Sequence, residues 1–303
     1  MSYFSVSTGV VAIALSGILA KWTPIPGEAS AFWRMLIAAA VLLPWWLRHR
    51  PAQLPIPAAA LATLAGVFFG ADIALFHIAL QITSVANATL LAHVAPFWVA
   101  LGALVLFRER LPLTFWLGMA MAVAGVVLVM SAGVTRLAPG SGDALAITAS
   151  LFYAGYLVTT ERARIRLPAP TVFMLSLTGS VAVLLPLCFV LRTPLTGYDG
   201  RTWALLVALA LVPQLGGWFA ISYALGHLRA TVMSVSLLGQ PVLTALLGVP
   251  LLGEYLSVRQ ILGGLMVLAG IYVVSQRGQH LPPGGATLGA HARRLTESPS
   301  PPY

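Results

Sequence analysis

Charge is what this chain lacks most. Of its 303 residues only 8% are Asp, Glu, Lys or Arg, against 59% that are hydrophobic. A soluble domain carries about 25% charged residues, so a water-facing surface of this size is excluded. Cysteine is almost absent. The single Cys188 lies inside an apolar run, which rules out an intrachain disulfide and a cysteine-rich metal site. It reads as a small core residue. No third ligand with convincing spacing accompanies the histidines, so neither a metal nor another cofactor is expected. There is no Walker lysine motif and hence no ATPase within the chain. There is no Gly-x-Ser-x-Gly either, and the remaining acids sit in loops or at helix ends, leaving Asp72 without a partner for a carboxylate dyad.

The formal net charge of +9 does not describe a nucleic-acid face. The basic residues fall in short clusters between apolar runs, such as Arg48-His49-Arg50, Arg108-Glu109-Arg110 and Arg162, Arg164 and Arg166. That is the pattern of loops held at a cytoplasmic membrane surface.

What the chain does have is apolar runs of about 20 residues, the length that crosses a bilayer core of roughly 30 Å as a helix. Ten can be drawn: Val6–Ala20, Ala29–Leu47, Ala58–Leu80, Val85–Phe107, Leu113–Ser131, Asp143–Thr160, Thr171–Leu191, Trp203–Leu225, Ala230–Leu252 and Arg259–Val274. In lipid every backbone group needs an internal partner, so these runs are expected to be helices. A barrel would alternate apolar and polar residues over about ten positions instead. Residues 1–10 hold no Lys or Arg, so the first run is taken as a membrane helix and not a signal peptide. The stretch 276–303 is rich in Gly, Pro, Ser and Arg and reads as a disordered cytoplasmic tail.

With the N-terminus inside, the inner side holds Arg48, Arg50, Arg108, Arg110, Arg162, Arg164, Arg166, Arg229 and Arg277. The outer side holds Lys21, Arg136, Arg192, Arg201 and Arg259, with Arg34 near the outer end of the second helix. The excess of basic residues places both termini in the cytoplasm.

The chain also repeats itself. Pro96 and Pro241, Glu109 and Glu254, Leu111 and Leu256, Gly118 and Gly263, and Gly125 and Gly270 are each 145 residues apart. Ala79-Leu80 and Ala224-Leu225 keep the same offset. Each copy holds five helices. Because five is odd, the second copy must enter the membrane the other way up. The expected architecture is an all-α integral membrane protein of ten transmembrane helices, built as two inverted five-helix repeats over residues 1–131 and 142–275.

With these residues the sequence resembles the drug/metabolite transporter superfamily, specifically its EamA-type ten-helix carriers. The resemblance rests on Arg34-Met35-Leu36-Ile37-Ala38-Ala39, on the run from Thr83 to Leu91 leading to Pro96, and on Arg108-Glu109-Arg110-Leu111. Gly118 with Gly125 and their second-copy counterparts complete it. It covers roughly residues 5 to 275. Leu228-Arg229-Ala230-Thr231 departs from the usual pattern in placing an Arg in the turn between the eighth and ninth helices. The resemblance implies export or exchange of small metabolites, amino acids or toxic organic compounds across a bacterial inner membrane.

Several residues are candidates for the chemistry of transport. Asp72 stands in the third helix among Ala, Ile, Leu and Phe, where insertion of an Asp costs about 2.5–3.5 kcal/mol. It is a candidate for the substrate cavity and for proton coupling; the competing reading is a polar clamp between helices. His77 and His93 are further proton-coupling candidates, with packing as the alternative, and His93 shares a face with Thr89 and Pro96. Pro96 and Pro241 are expected to kink the fourth and ninth helices and to expose carbonyls at the midplane. Gln214, Trp218 and Ser222 recur every four residues and form a polar and aromatic stripe. Tyr153 with Ser150, and Gln240 with Ser236, add faces from the sixth and ninth helices. Glu109 and Glu254 read first as turn ion pairs and second as gates. Gly66, Gly70 and Ala74 make a small-residue face for packing within the bundle or between subunits of a homo-oligomer. Trp45, Trp46 and Trp116 suit interface anchors. Arg34 suits either snorkelling to the surface or binding of an anionic group.

The leading function is therefore a secondary transporter of a small metabolite, such as an amino acid, working by alternating access as an exporter or exchanger. Its partners are a small-molecule substrate and the lipid bilayer. An intramembrane enzyme and a non-transporting accessory subunit are the competing classes.

Overall fold

A computed structural model describes residues 2–130, 140–253 and 255–278. The chain begins with α1 (Ser2–Trp22), α2 (Gly27–His49) and α3 (Ile56–Ile82). A broken fourth crossing follows, made of α4 (Val85–Ala92) and α5 (Ala95–Val105), and then α6 (Leu113–Met130). The second half holds α7 (Ser141–Arg164), α8 (Ala169–Val190) and α9 (Gly200–Leu209), the last continuing through π-helical turns (Ala210–Trp218) into α10 (Phe219–Ala224). It ends with α11 (Ala230–Ser236), α12 (Gly239–Leu252) and α13 (Val258–Gly278). Among the described residues all the regular structure is helical, as the lack of water to satisfy a free backbone requires.

Nine spans among the described residues are long and apolar enough to cross a membrane. The sixth segment, α7, is a 24-residue helix with Asp143, Glu161, Arg162 and Arg164 in its end turns. Those charges separate it from the other nine, and its central position explains how they are tolerated. Asp143 accepts a hydrogen bond from the Thr83 hydroxyl at 2.8 Å. Glu161 accepts one from the Ala230 amide at 3.0 Å. The result is a multi-pass α-helical membrane protein.

Local rules set the ends of these helices. Pro26, Pro55 and Pro168 precede α2, α3 and α8 and cannot extend them backwards. Ser84 and Asp199 cap α4 and α9, accepting from the amides of Asn87 and Thr202. Gly253, at φ 68°, closes α12 in the left-handed conformation that glycine adopts without strain.

The fourth and ninth crossings are each built from two pieces instead of a single kinked helix. Pro96 and Pro241 fall in the first turn of the second piece, α5 and α12. An amide at that position has no intrahelical acceptor, so proline is tolerated there. The turn at 93–94 and the turn at 237–238 lie at nearly equivalent places in the two copies.

Small residues decide how the helices pack. α3 lies against α7 and α8, α1 against the π-helical turns and α12, α2 against α8, and α6 against α13. At the α6–α13 crossing backbone meets backbone. A Cβ added at Gly125 would stand 2.6 Å from the Gly263 carbonyl oxygen, and one at Gly118 would stand 2.9 Å from that of Gly270. Residue numbers rise along one helix as they fall along the other, so α6 and α13 are antiparallel. Gly66 and Gly70 pack within the bundle, where Gly70 faces the Ser180 carbonyl and Ser180 donates to Gly66 O at 2.9 Å.

Residues 276–278, expected to belong to the tail, are the last turn of α13. The rest of that tail and Glu254 lie outside the described residues. Trp45 is exposed, as befits an anchor, and stacks on His49. Trp46 instead reaches inward and donates its indole N–H to the Thr171 hydroxyl at 3.2 Å.

Candidate functional site

A cavity of about 220 Å³ lies where both halves converge. The first half supplies Ile13 and Ser16 from α1, Arg34 from α2, Phe69, Asp72, Ile73 and Phe76 from α3, and Thr89, Ala92, His93, Ala95 and Pro96 from the broken fourth crossing. The second half supplies Tyr153 from α7, Trp218 from the π-helical turns, and Ser234, Leu237, Leu238 and Gln240 from the broken ninth crossing. Both helix breaks thus border the same space. Broken helices expose carbonyls and amides that unbroken ones hide, and in membranes such backbone is tolerated where it lines a cavity. Drug-sized pockets run to about 300–1,000 Å³, so this one suits a small solute.

Of the sequence candidates, Asp72, His93, Tyr153, Trp218 and Gln240 line this cavity together with Pro96. His93 sits in the break itself, and its Nδ1 lies 2.7 Å from the Thr89 carbonyl, which fixes the ring. Pro241, Gln214 and His77 are not among the lining residues. His77 places Nδ1 2.8 Å from Ile73 O, and its ring packs against Gly27, where an added Cβ would collide with it. Gln214 is buried within the bundle, and its Oε1 has no hydrogen-bond partner. The expected stripe of Gln214, Trp218 and Ser222 is divided because the eighth crossing is not a continuous α-helix. Pro213 lacks an amide and the turns widen around it, a local irregularity frequent at functional sites. Ser150 is engaged by the Trp98 indole N–H at 2.9 Å, and Ser236 donates to Val232 O at 2.9 Å.

An aromatic cluster forms one wall. Trp218 meets Phe69, Tyr156 and Tyr153 edge-on, with ring centroids 4.7, 5.6 and 5.9 Å apart. Edge-to-face rings are a favourable and rigid arrangement. Phe69 and Phe76 stand three residues before and four after Asp72, on one helical face. That spacing was available in the sequence and would have found them.

A second polar group closes one end of the bundle. Glu109 accepts from Arg229 Nη1 at 2.8 Å and lies 3.6 Å from Arg162 Nη2. The Arg162 guanidinium also sits over the Phe107 ring, 3.6 Å from its centroid. Arg164 donates to the carbonyls of Ser222 and Leu167 at 2.9 and 2.6 Å. These contacts tie the loop after α5 to the end of α7 and to the turn before α11. The unusual Arg229 is therefore an ion-pair partner, and Glu109 is a turn ion pair that joins the two halves.

The fold and cavity define a class, namely a polytopic helical membrane protein with a small central cavity between its halves. Residues 1–131 and 140–276 match the EamA-like transporter family, and the chain belongs to it. It is 28% identical over 248 residues to an uncharacterized transporter of Archaeoglobus fulgidus, covering 80% of this chain and 84% of that one. It is 24% identical over 282 residues to the uncharacterized transporter YyaM of Bacillus subtilis, covering 90% and 91%. The pseudopaline exporter CntI of Pseudomonas aeruginosa is 24% identical over 216 residues, covering 70% of this chain and 73% of the exporter. A solved crystal structure of a protein 22% identical in sequence is similar in fold, with a TM-score of 0.78 over 92% of this chain and 99% of that one.

Proposed function

We propose that the protein is a secondary carrier that moves a small metabolite across the inner membrane by alternating access, in the direction of export or as an exchanger, with both termini in the cytoplasm. The observation that carries this reading is the cavity bordered by both helix breaks, one from each half. Two inverted five-helix repeats, each exchanging conformation with the other, would open that cavity to one side and then the other. The antiparallel glycine contacts of α6 and α13 support the inversion, because these helices are equivalents in the two copies. So does the packing. The contact of α1 with the π-helical turns answers that of α7 with α3, and α1 with α12 answers α7 with α5. The naming of one relative as an exporter supports the direction.

Two measurements test the reading. The first is a metabolite export profile in cells with and without the protein. A solute whose release follows the protein is expected, and identical profiles would count against transport. The second concerns topology. In a Cys188→Ser background, Arg110→Cys and Gly253→Cys should react with an impermeant maleimide from opposite sides of sealed vesicles. Reaction from one shared side would remove the inverted arrangement.

A further inference from the structure

Three arginines at one end of the bundle are held by other groups. Arg162 and Arg229 share Glu109, and Arg164 holds two carbonyls. Arg34 is different. It is the eighth residue of α2, roughly 10 Å along the helix from its first residue. It borders the central cavity and makes no hydrogen bond or ion pair with another described residue, and its Nε is buried without an acceptor. Asp72 borders the same cavity, yet the two do not form an ion pair. A guanidinium buried without an anion is costly. Its fork of donors matches the planar geometry of a carboxylate.

We infer that Arg34 is the specificity-determining residue of the cavity and holds a single carboxylate of the transported solute. This rests on the carrier reading above. The sign and size of the charge follow from what else lines the space. One guanidinium balances one carboxylate. A phosphate dianion would leave uncompensated negative charge beside Asp72 at the membrane interior, since Arg34 is the only Lys or Arg among the described lining residues and His93 is held at Nδ1 by the Thr89 carbonyl. The aromatic wall of Phe69, Phe76 and Trp218 receives the apolar body of the solute, and the volume of about 220 Å³ keeps that body small. The solute is therefore a small monocarboxylate, either an amino acid whose ammonium faces Asp72 or a hydroxy or keto acid that lacks one.

The test uses the purified full chain in proteoliposomes loaded with a panel of amino acids, small hydroxy and keto acids, and the matching amide and amine of each. At least one acid should leave faster than from empty-membrane controls, and its amide at least about tenfold more slowly, as loss of a charge-assisted hydrogen bond predicts. Movement of amino acids alone, or of the other acids as well, identifies the source of the carboxylate, and either result supports the anchor. Arg34→Gln should abolish the preference for acid over amide. Arg34→Lys, which keeps the charge without the fork, should give an intermediate flux of the acid. Wild-type protein that moves amides or amines as fast as acids would overturn the anchor and leave the carrier intact. So would an Arg34→Gln variant that moves the acid at the wild-type rate. If no member of the panel moves, the carrier reading falls, and this inference falls with it.

Discussion

Single residues in the cavity wall carry different kinds of consequence. Asp72 places a carboxyl on a wall otherwise made of Phe69, Ile73 and Phe76. Removing its charge while keeping its shape separates chemistry from packing. Asp72→Asn is expected to lower flux by at least about tenfold, the scale of one charged interaction, while leaving membrane insertion and yield unchanged. Wild-type flux in that variant would release Asp72 from any part in coupling. Trp218 and Gln240 border the cavity from the second half. Trp218→Leu and Gln240→Leu are expected to change the ranking of transported solutes more than the amount of protein recovered. Equal losses of flux and of yield would mean that these side chains hold the bundle together and do not select the cargo. Trp218 is the harder case, since its ring also packs against Phe69, Tyr153 and Tyr156.

Helices show what sequence could and could not supply. Run length and the 145-residue offset disclosed the crossings and their pairing, because both are written in residue order. Asp72, His93, Tyr153, Trp218 and Gln240 were legible as polar or amphipathic residues stranded in apolar runs, and these meet at one cavity. Gln214 did not follow. An α-helical period of four was assumed from Gln214 to Ser222, but the turns are π-helical as far as Trp218. The Glu109–Arg162–Arg229 cluster was not legible either. Glu109 was read as a turn ion pair and Arg229 as an unusual turn residue, but their joining with Arg162 was hidden, because the three come from two connections and a helix end far apart in the chain. For Arg34 the sequence left snorkelling and anion binding open, because position along a run says nothing about which neighbours stand beside it. The α6–α13 contact yields an element-scale expectation. Gly125→Val would drive a side chain into the Gly263 backbone. Overpacking of this kind costs about 1–3 kcal/mol, so the variant should aggregate at a lower temperature in detergent. An unchanged melting profile would show that the two helices can separate without loss.

At the scale of the whole molecule, the polar cluster ties both halves together at the end that carries Glu109. The residues equivalent to Arg162 and Arg229 in the first copy are Gly17 and Ser84, which cannot form such ion pairs. At the end that carries Glu109, the ion pairs with Arg162 and Arg229 hold the two halves together by charge. Glu109→Gln should loosen it. In a Cys188→Ser background, a Ser234→Cys reporter on the cavity wall should react several-fold faster with maleimide supplied from that end, and unchanged kinetics would deny the cluster any gating role. The glycine crossing has the opposite character. Where α6 and α13 touch, main chain rests on main chain at the paired glycines, with the short β-branched Val267, Val273 and Val274 and the Cβ of Leu128 beside them. Such a pair behaves as a fixed strut. Spin labels on its two lipid-facing sides should keep one separation through the whole cycle, which makes this seam the natural reference frame for measuring every other displacement in the protein.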